Sequence, residues 1–164
     1  MGLTRKWISA LGAVLLAVSA VSVQAETPKR GGTLVWSIGT TPRHLNPAVQ
    51  SGIATGAPGA QLFATLVRFD DKWNAHPYLA KSWQTSADGL AVTFNLVEGA
   101  TFHDGTPITS KDVAFSIKTI KANHPFKTMF RAVSSVETPN ANTVVFKLSQ
   151  PHPALMLALS SQLG

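Results

Sequence analysis

Residues 77–117 read PYLAKSWQTSADGLAVTFNLVEGATFHDGTPITSKDVAFSI. Leu79 to Gln84 predicts a strand, and Ser86-Ala87-Asp88-Gly89 supplies a reversal after it. Asp bonds its own backbone there, and Gly tolerates positive φ. From Leu90 to Leu96 the side chains alternate, with Val92, Phe94 and Leu96 on one side and Ala91, Thr93 and Asn95 on the other. Burying each large apolar side chain is worth about 1.5–3 kcal/mol before entropy, so the first set is expected in a core. Glu98-Gly99 and Asp104-Gly105 mark turns. Thr109 and Asp112 stand at capping-box spacing. Val113, Ile117 and Ile120 then recur at i, i+4 and i+7, the apolar stripe of a helix. Phe115 falls off that stripe, which predicts a second element covering the helix from its other side. His124-Pro125 stops it.

Working outward, Gly31-Gly32 frees the backbone before Thr33-Leu34-Val35-Trp36-Ser37-Ile38, a β-branched and aromatic run expected to form a strand covered on both faces. The prolines of Thr40 to Pro47 demand an irregular loop, since each restricts the residue before it. Ser51 to Ala60 reads as a flexible, Gly-rich entry to a short helix over 61–67 that ends near Arg68. Asp70 to Asn74 predicts a turn. Beyond the central helix, Val133 to Thr138 and Thr143 to Leu148 predict a hairpin joined by Pro139-Asn140-Ala141-Asn142. Pro153 suits the first turn of a helix over 154–159. The mix is α+β, with strands outnumbering helices.

The amino-terminal stretch reads as a targeting signal. Arg5 and Lys6 precede an apolar run from Ile8 to Val23, and Val23-Gln24-Ala25 offers small residues for cleavage before Glu26. A membrane anchor needs about 20 apolar residues, more than this Ala- and Ser-rich run supplies. Residues 1–25 are therefore expected to be a signal peptide. There is no cysteine in the chain, so neither a lipid-modified Cys nor a disulfide supports it. Net charge is +6, but the basic residues are dispersed, which argues against nucleic-acid binding.

Residues alone point to no enzyme. The five histidines, His44, His76, His103, His124 and His152, form no metal-ligand spacing, and each is expected in a turn or surface role. His103 beside Asp104 resembles an acid–base pair, yet sequence neighbours rarely face each other and Asp-Gly is ordinary turn chemistry. Gly52, Gly56 and Gly59 match no phosphate-loop pattern. Neither Ser134-Ser135 nor Ser160-Ser161 has a nucleophile setting. Trp36 and Trp83 are expected in strands, packed into a core.

Several segments, in order, resemble the peptide- and nickel-binding family 5 of extracytoplasmic solute-binding proteins that serve ABC importers. They are Gly32-Thr33-Leu34-Val35, Leu45-Asn46-Pro47, Leu62-Phe63 with Leu66-Val67, Pro77 to Trp83, and Phe102-His103-Asp104-Gly105-Thr106-Pro107 followed by Asp112-Val113. Val97 and Ser110 depart from the family pattern, which usually has a basic residue and Ala there. The resemblance implies a two-lobed periplasmic-binding-protein fold with an additional subdomain. Residues 26–47 would begin lobe one, and 48–164 would form the additional subdomain, ending before the second lobe. It further implies that Thr41, Pro42 and Arg43 line the ligand cleft, where backbone groups bond an extended peptide. The implied role is non-catalytic: a periplasmic, monomeric receptor without cofactor or metal that hands a peptide or other small solute to a membrane permease. The alternative is a fragment of a secreted hydrolase whose catalytic part is missing.

Overall fold

The computed structural model describes residues 30–161. The expected signal peptide and its cleavage site lie outside the described residues. The chain divides into two compact units, Met1–Trp36 and Ser37–Gly164. Residues 30–36 of the first carry no helix or strand. The strand expected over 33–38 does not form, and Leu34 and Val35 are 85% and 88% exposed. A strand exists through its ladder, and these residues take part in no strand pairing among the described residues. Trp36 is correspondingly exposed rather than packed in a core.

The second unit is built on one antiparallel sheet. β1 (Val67–Phe69) and β2 (Ala75–Pro77) form a short hairpin beside it. β3 (Ala80–Thr85), β4 (Ala91–Leu96), β5 (Val133–Asn140) and β6 (Thr143–Leu148) follow in the spatial order β3-β4-β6-β5. Val92, Phe94 and Leu96 are buried, as their alternation requires. Across the ladder Val92 pairs with Phe146 and Phe94 with Val144. The Phe94 and Phe146 rings meet edge to face at 5.4 Å, a geometry the ring quadrupole favours. The opposite face carries Thr93, Asn95 and Lys147, so the sheet is covered on one side only.

The covering helix is α2 (Ser110–Asn123), which lays Val113, Ile117 and Ile120 on the apolar face. Its start is the expected capping box: Asp112 accepts from the Thr109 amide at 2.7 Å and from the Thr109 hydroxyl at 2.8 Å. The Ser110 amide donates to the Ala141 carbonyl at 2.7 Å, and its hydroxyl to the Asn140 carbonyl at 2.6 Å. Both bonds tie the helix to the β5–β6 turn, which gives the serine a physical reason. Phe115 is 70% exposed, so nothing among the described residues covers the second face of α2.

Three further expectations shift. A helix, α1 (Ile53–Leu62), occupies the Gly-rich stretch, and the predicted helix over 61–67 gives way to β1. Packing outweighs propensity here: Thr55, Ala57 and Gly59 of α1 are buried. Val67 and Phe69 instead pair with Pro77 and Ala75, around a turn in which Asp70 accepts from the Lys72 and Asn74 amides. β5 runs through Pro139 to Asn140, leaving only Ala141-Asn142 as the turn. Proline is tolerated there because β5 is an edge strand. Finally, α3 (Leu155–Ser160) begins after an Ala154 cap, so Pro153 precedes the helix rather than opening it.

His124 ends α2 and is only 1% exposed, a turn residue that is buried rather than at the surface. Its Nδ1 accepts from the Phe126 amide at 2.9 Å, and its Nε2 completes no hydrogen bond. Burial pushes the imidazole below its ordinary 6.5, offset only in part by the Gln50 backbone carbonyl.

Two outcomes follow for the full chain. Phe94→Ala should cost about 3–5 kcal/mol in urea unfolding, against about 1 kcal/mol for the capping loss in Asp112→Ala. Because the unfolded chain binds a proton that folded His124 resists, stability should fall as pH drops below about 6.5. The urea midpoint should therefore decline more between about pH 7.5 and pH 5.5 than it does in His124→Gln; equal declines would exclude this histidine as the cause.

Candidate functional site

The loop from Gly39 to Ala48 is irregular, as its prolines require, and its two ends behave differently. At the root, Pro47 and Ala48 are buried. Asn46 Oδ1 accepts the Ala48 amide at 2.9 Å, and His44 Nδ1 accepts the Asn46 amide at 3.2 Å. Gly59 of α1 allows the Pro47 ring to come close; a Cβ there would stand 3.0 Å from Pro47 Cγ. Gly59 therefore serves close approach, not flexibility. At the tip, Thr41 and Arg43 are exposed and Pro42 is half-buried. Arg43 makes no ion pair among the described residues.

Beside the root lies an apolar groove of about 490 Å³. Leu45 of the loop, Leu62 and Phe63 at the end of α1, Phe102, Ile117 of α2 and Leu159 of α3 contribute to its wall. Thr41, Pro42 and Arg43 do not line it. Its size falls in the range of small-molecule pockets, but few polar groups converge on it. Asp112 is spent in the capping box. Such a surface can bury apolar groups and offers little chemistry. Sequence reasoning missed it, because Leu45, Leu62-Phe63 and Phe102 come from separate segments that only the fold assembles.

Several titratable groups outside the groove make local structural contacts. Asp104 accepts from the Thr106 amide at 2.9 Å and hydroxyl at 2.7 Å, which holds its carboxyl below the usual range, backbone bond first. It makes no bond to His103, so no acid–base pair forms. Asp70 is held well below the ordinary carboxylate range, chiefly by His76 at 3.0 Å and then by Asn74. His76 itself lies in β2 rather than in a loop. His152 Nε2 lies 2.8 Å from the Met129 carbonyl. Among the described residues no cluster of three potential ligands could hold a metal, and no helix is long and apolar enough to cross a membrane.

Comparison with known proteins agrees with this architecture. Residues 74–164 match the family described as bacterial extracellular solute-binding proteins, family 5 Middle. A Brucella ovis protein, described as an ABC transporter peptide-binding protein, is 38% identical over 121 residues, covering 71% of this chain and 22% of its own length. Among solved structures, NikZ from Campylobacter jejuni in complex with Ni(L-His) superposes with a TM-score of 0.67 at 35% identity, over 74% of this chain and 25% of that one. NikA from Brucella suis in complex with Fe(III)-EDTA gives 0.70 at 26% identity, over 77% and 26%. The chain thus spans about a quarter of the length of the relatives it matches. Its sheet and helices reproduce part of the α+β periplasmic-binding-protein fold, and it belongs to the family 5 bacterial extracellular solute-binding proteins.

Proposed function

We propose that this chain serves in the extracytoplasmic substrate-binding component of an ABC importer, capturing a peptide between two lobes and delivering it to a membrane permease. The observation that carries the reading is the family match over 74–164 together with the peptide-binding relative. Lobe closure would follow a hinge motion, as in other clamps of this kind. The role is binding without catalysis, by a monomer, in the periplasm after cleavage behind Ala25. In this reading 26–47 opens lobe one and 48–164 is the additional subdomain.

Thr41, Pro42 and Arg43 form the cleft edge in this proposal. Support comes from the loop's construction: a root clamped by Pro47 against Gly59, and a tip left exposed. A fixed base holds the backbone groups of the tip ready to bond an extended peptide, which lowers the ordering cost of binding.

Titration calorimetry of the exported protein against a peptide library, with nickel–histidine alongside, tests the reading. Peptide binding is expected, and Arg43→Pro, which deletes one backbone donor, should weaken it about tenfold while the urea midpoint stays unchanged. Silence toward every peptide would exclude this cargo class, and undiminished binding by the variant would remove the loop from the cleft. Amino-terminal sequencing of the exported protein should begin at Glu26.

A further inference from the structure

Phe115 is a large apolar residue on the side of α2 that turns away from the core. Lys111 and Lys118 lie four residues before it and three after, so all three share one helix face. Both lysines are exposed and make no ion pair among the described residues. Opposite them runs β5, whose outer edge pairs with no other strand among the described residues. Between the two lies a groove of about 730 Å³, lined by Phe115, the lysines, Ser135, Val136 and Thr138, without a single carboxylate. Glu137 alternates to the other face of β5, and the ammonium of Lys121 is occupied by the Val133 carbonyl.

We propose that this groove docks an extended, acidic segment of a partner protein, laid along the free edge of β5 with its carboxylates against Lys111 and Lys118. An unpaired strand edge is a template for an added strand. Pro139 and the register shifts at Val133/Ser135 and Glu137/Asn140 confine regular pairing to a few residues, so a short segment fits and a long strand does not. Phe115 supplies the apolar anchor between the two charges. A basic wall with no acidic counterpart attracts a segment of opposite sign. A second copy is disfavoured, because a two-fold contact through this groove would set the same lysines against each other. The groove shares no residue with the Thr41–Arg43 loop, so the inference stands apart from the identity of the cargo.

The test is fluorescence anisotropy of the full chain with a labelled peptide alternating Val and Glu, against its Val–Lys and Val–Ser counterparts. The acidic peptide should bind most tightly and weaken as salt rises. Lys111→Glu with Lys118→Glu should reduce its affinity about tenfold, and Phe115→Ser should also reduce it, with the circular dichroism spectrum and urea midpoint of the chain retained. Equal binding of the three peptides would overturn the proposal, as would acidic binding indifferent to both variants. Sedimentation showing a dimer that Phe115→Ser dissolves would assign the groove to a second copy and overturn it. The chain has no cysteine, so Phe115→Cys can be labelled singly with maleimide. Rapid labelling that the acidic peptide blocks is expected, whereas resistance without peptide would show that another part of the polypeptide already fills the groove and would overturn the proposal.

Discussion

The structure depends on one burial event: the apolar face of a four-stranded sheet closing on a single helix. With no cysteine to staple it, the unit rests on Phe94 and Phe146 at the middle of the sheet and on Val113, Ile117 and Ile120 across from them. The helix could approach such a sheet in several registers if apolar contact were the only force, because contact of that kind is not directional. Polar bonds at one end select among them. The capping box ends α2 sharply at Thr109, and the Ser110 bonds to Asn140 and Ala141 pin that end to the β5–β6 turn.

That arrangement explains which features could be read from sequence. The alternation of Val92, Phe94 and Leu96, the Asp-Gly turns and the Thr109–Asp112 spacing all act within a few residues, so their meaning is local. The run 33–38 has equally strong strand composition, but composition cannot supply a partner strand. α1 misled in the opposite direction. Its Gly-rich sequence is a poor helix former, and what offsets that is the burial of its small residues, including the contact of Gly59 with Pro47 across a chain separation that periodicity cannot see.

The functional surfaces divide along the same line. The irregular course of Thr41-Pro42-Arg43 is legible from its prolines, while its proposed role comes only from resemblance. The two grooves were invisible beforehand, because each is lined from several elements. Phe115 did give a signal, as an apolar residue off the stripe, but the covering element expected there is missing among the described residues, where its ring is exposed.

The packing of Pro47 on Gly59 carries a genetic consequence. A side chain at position 59 would make the Pro47 ring, which anchors the loop's root, give way by a few tenths of an ångström, so α1 can act on the loop without approaching its tip. In the proposed receptor, a screen for transport-deficient alleles would recover changes at 59 alongside those at 41–43. Their phenotypes would look alike, although only the latter could ever touch cargo.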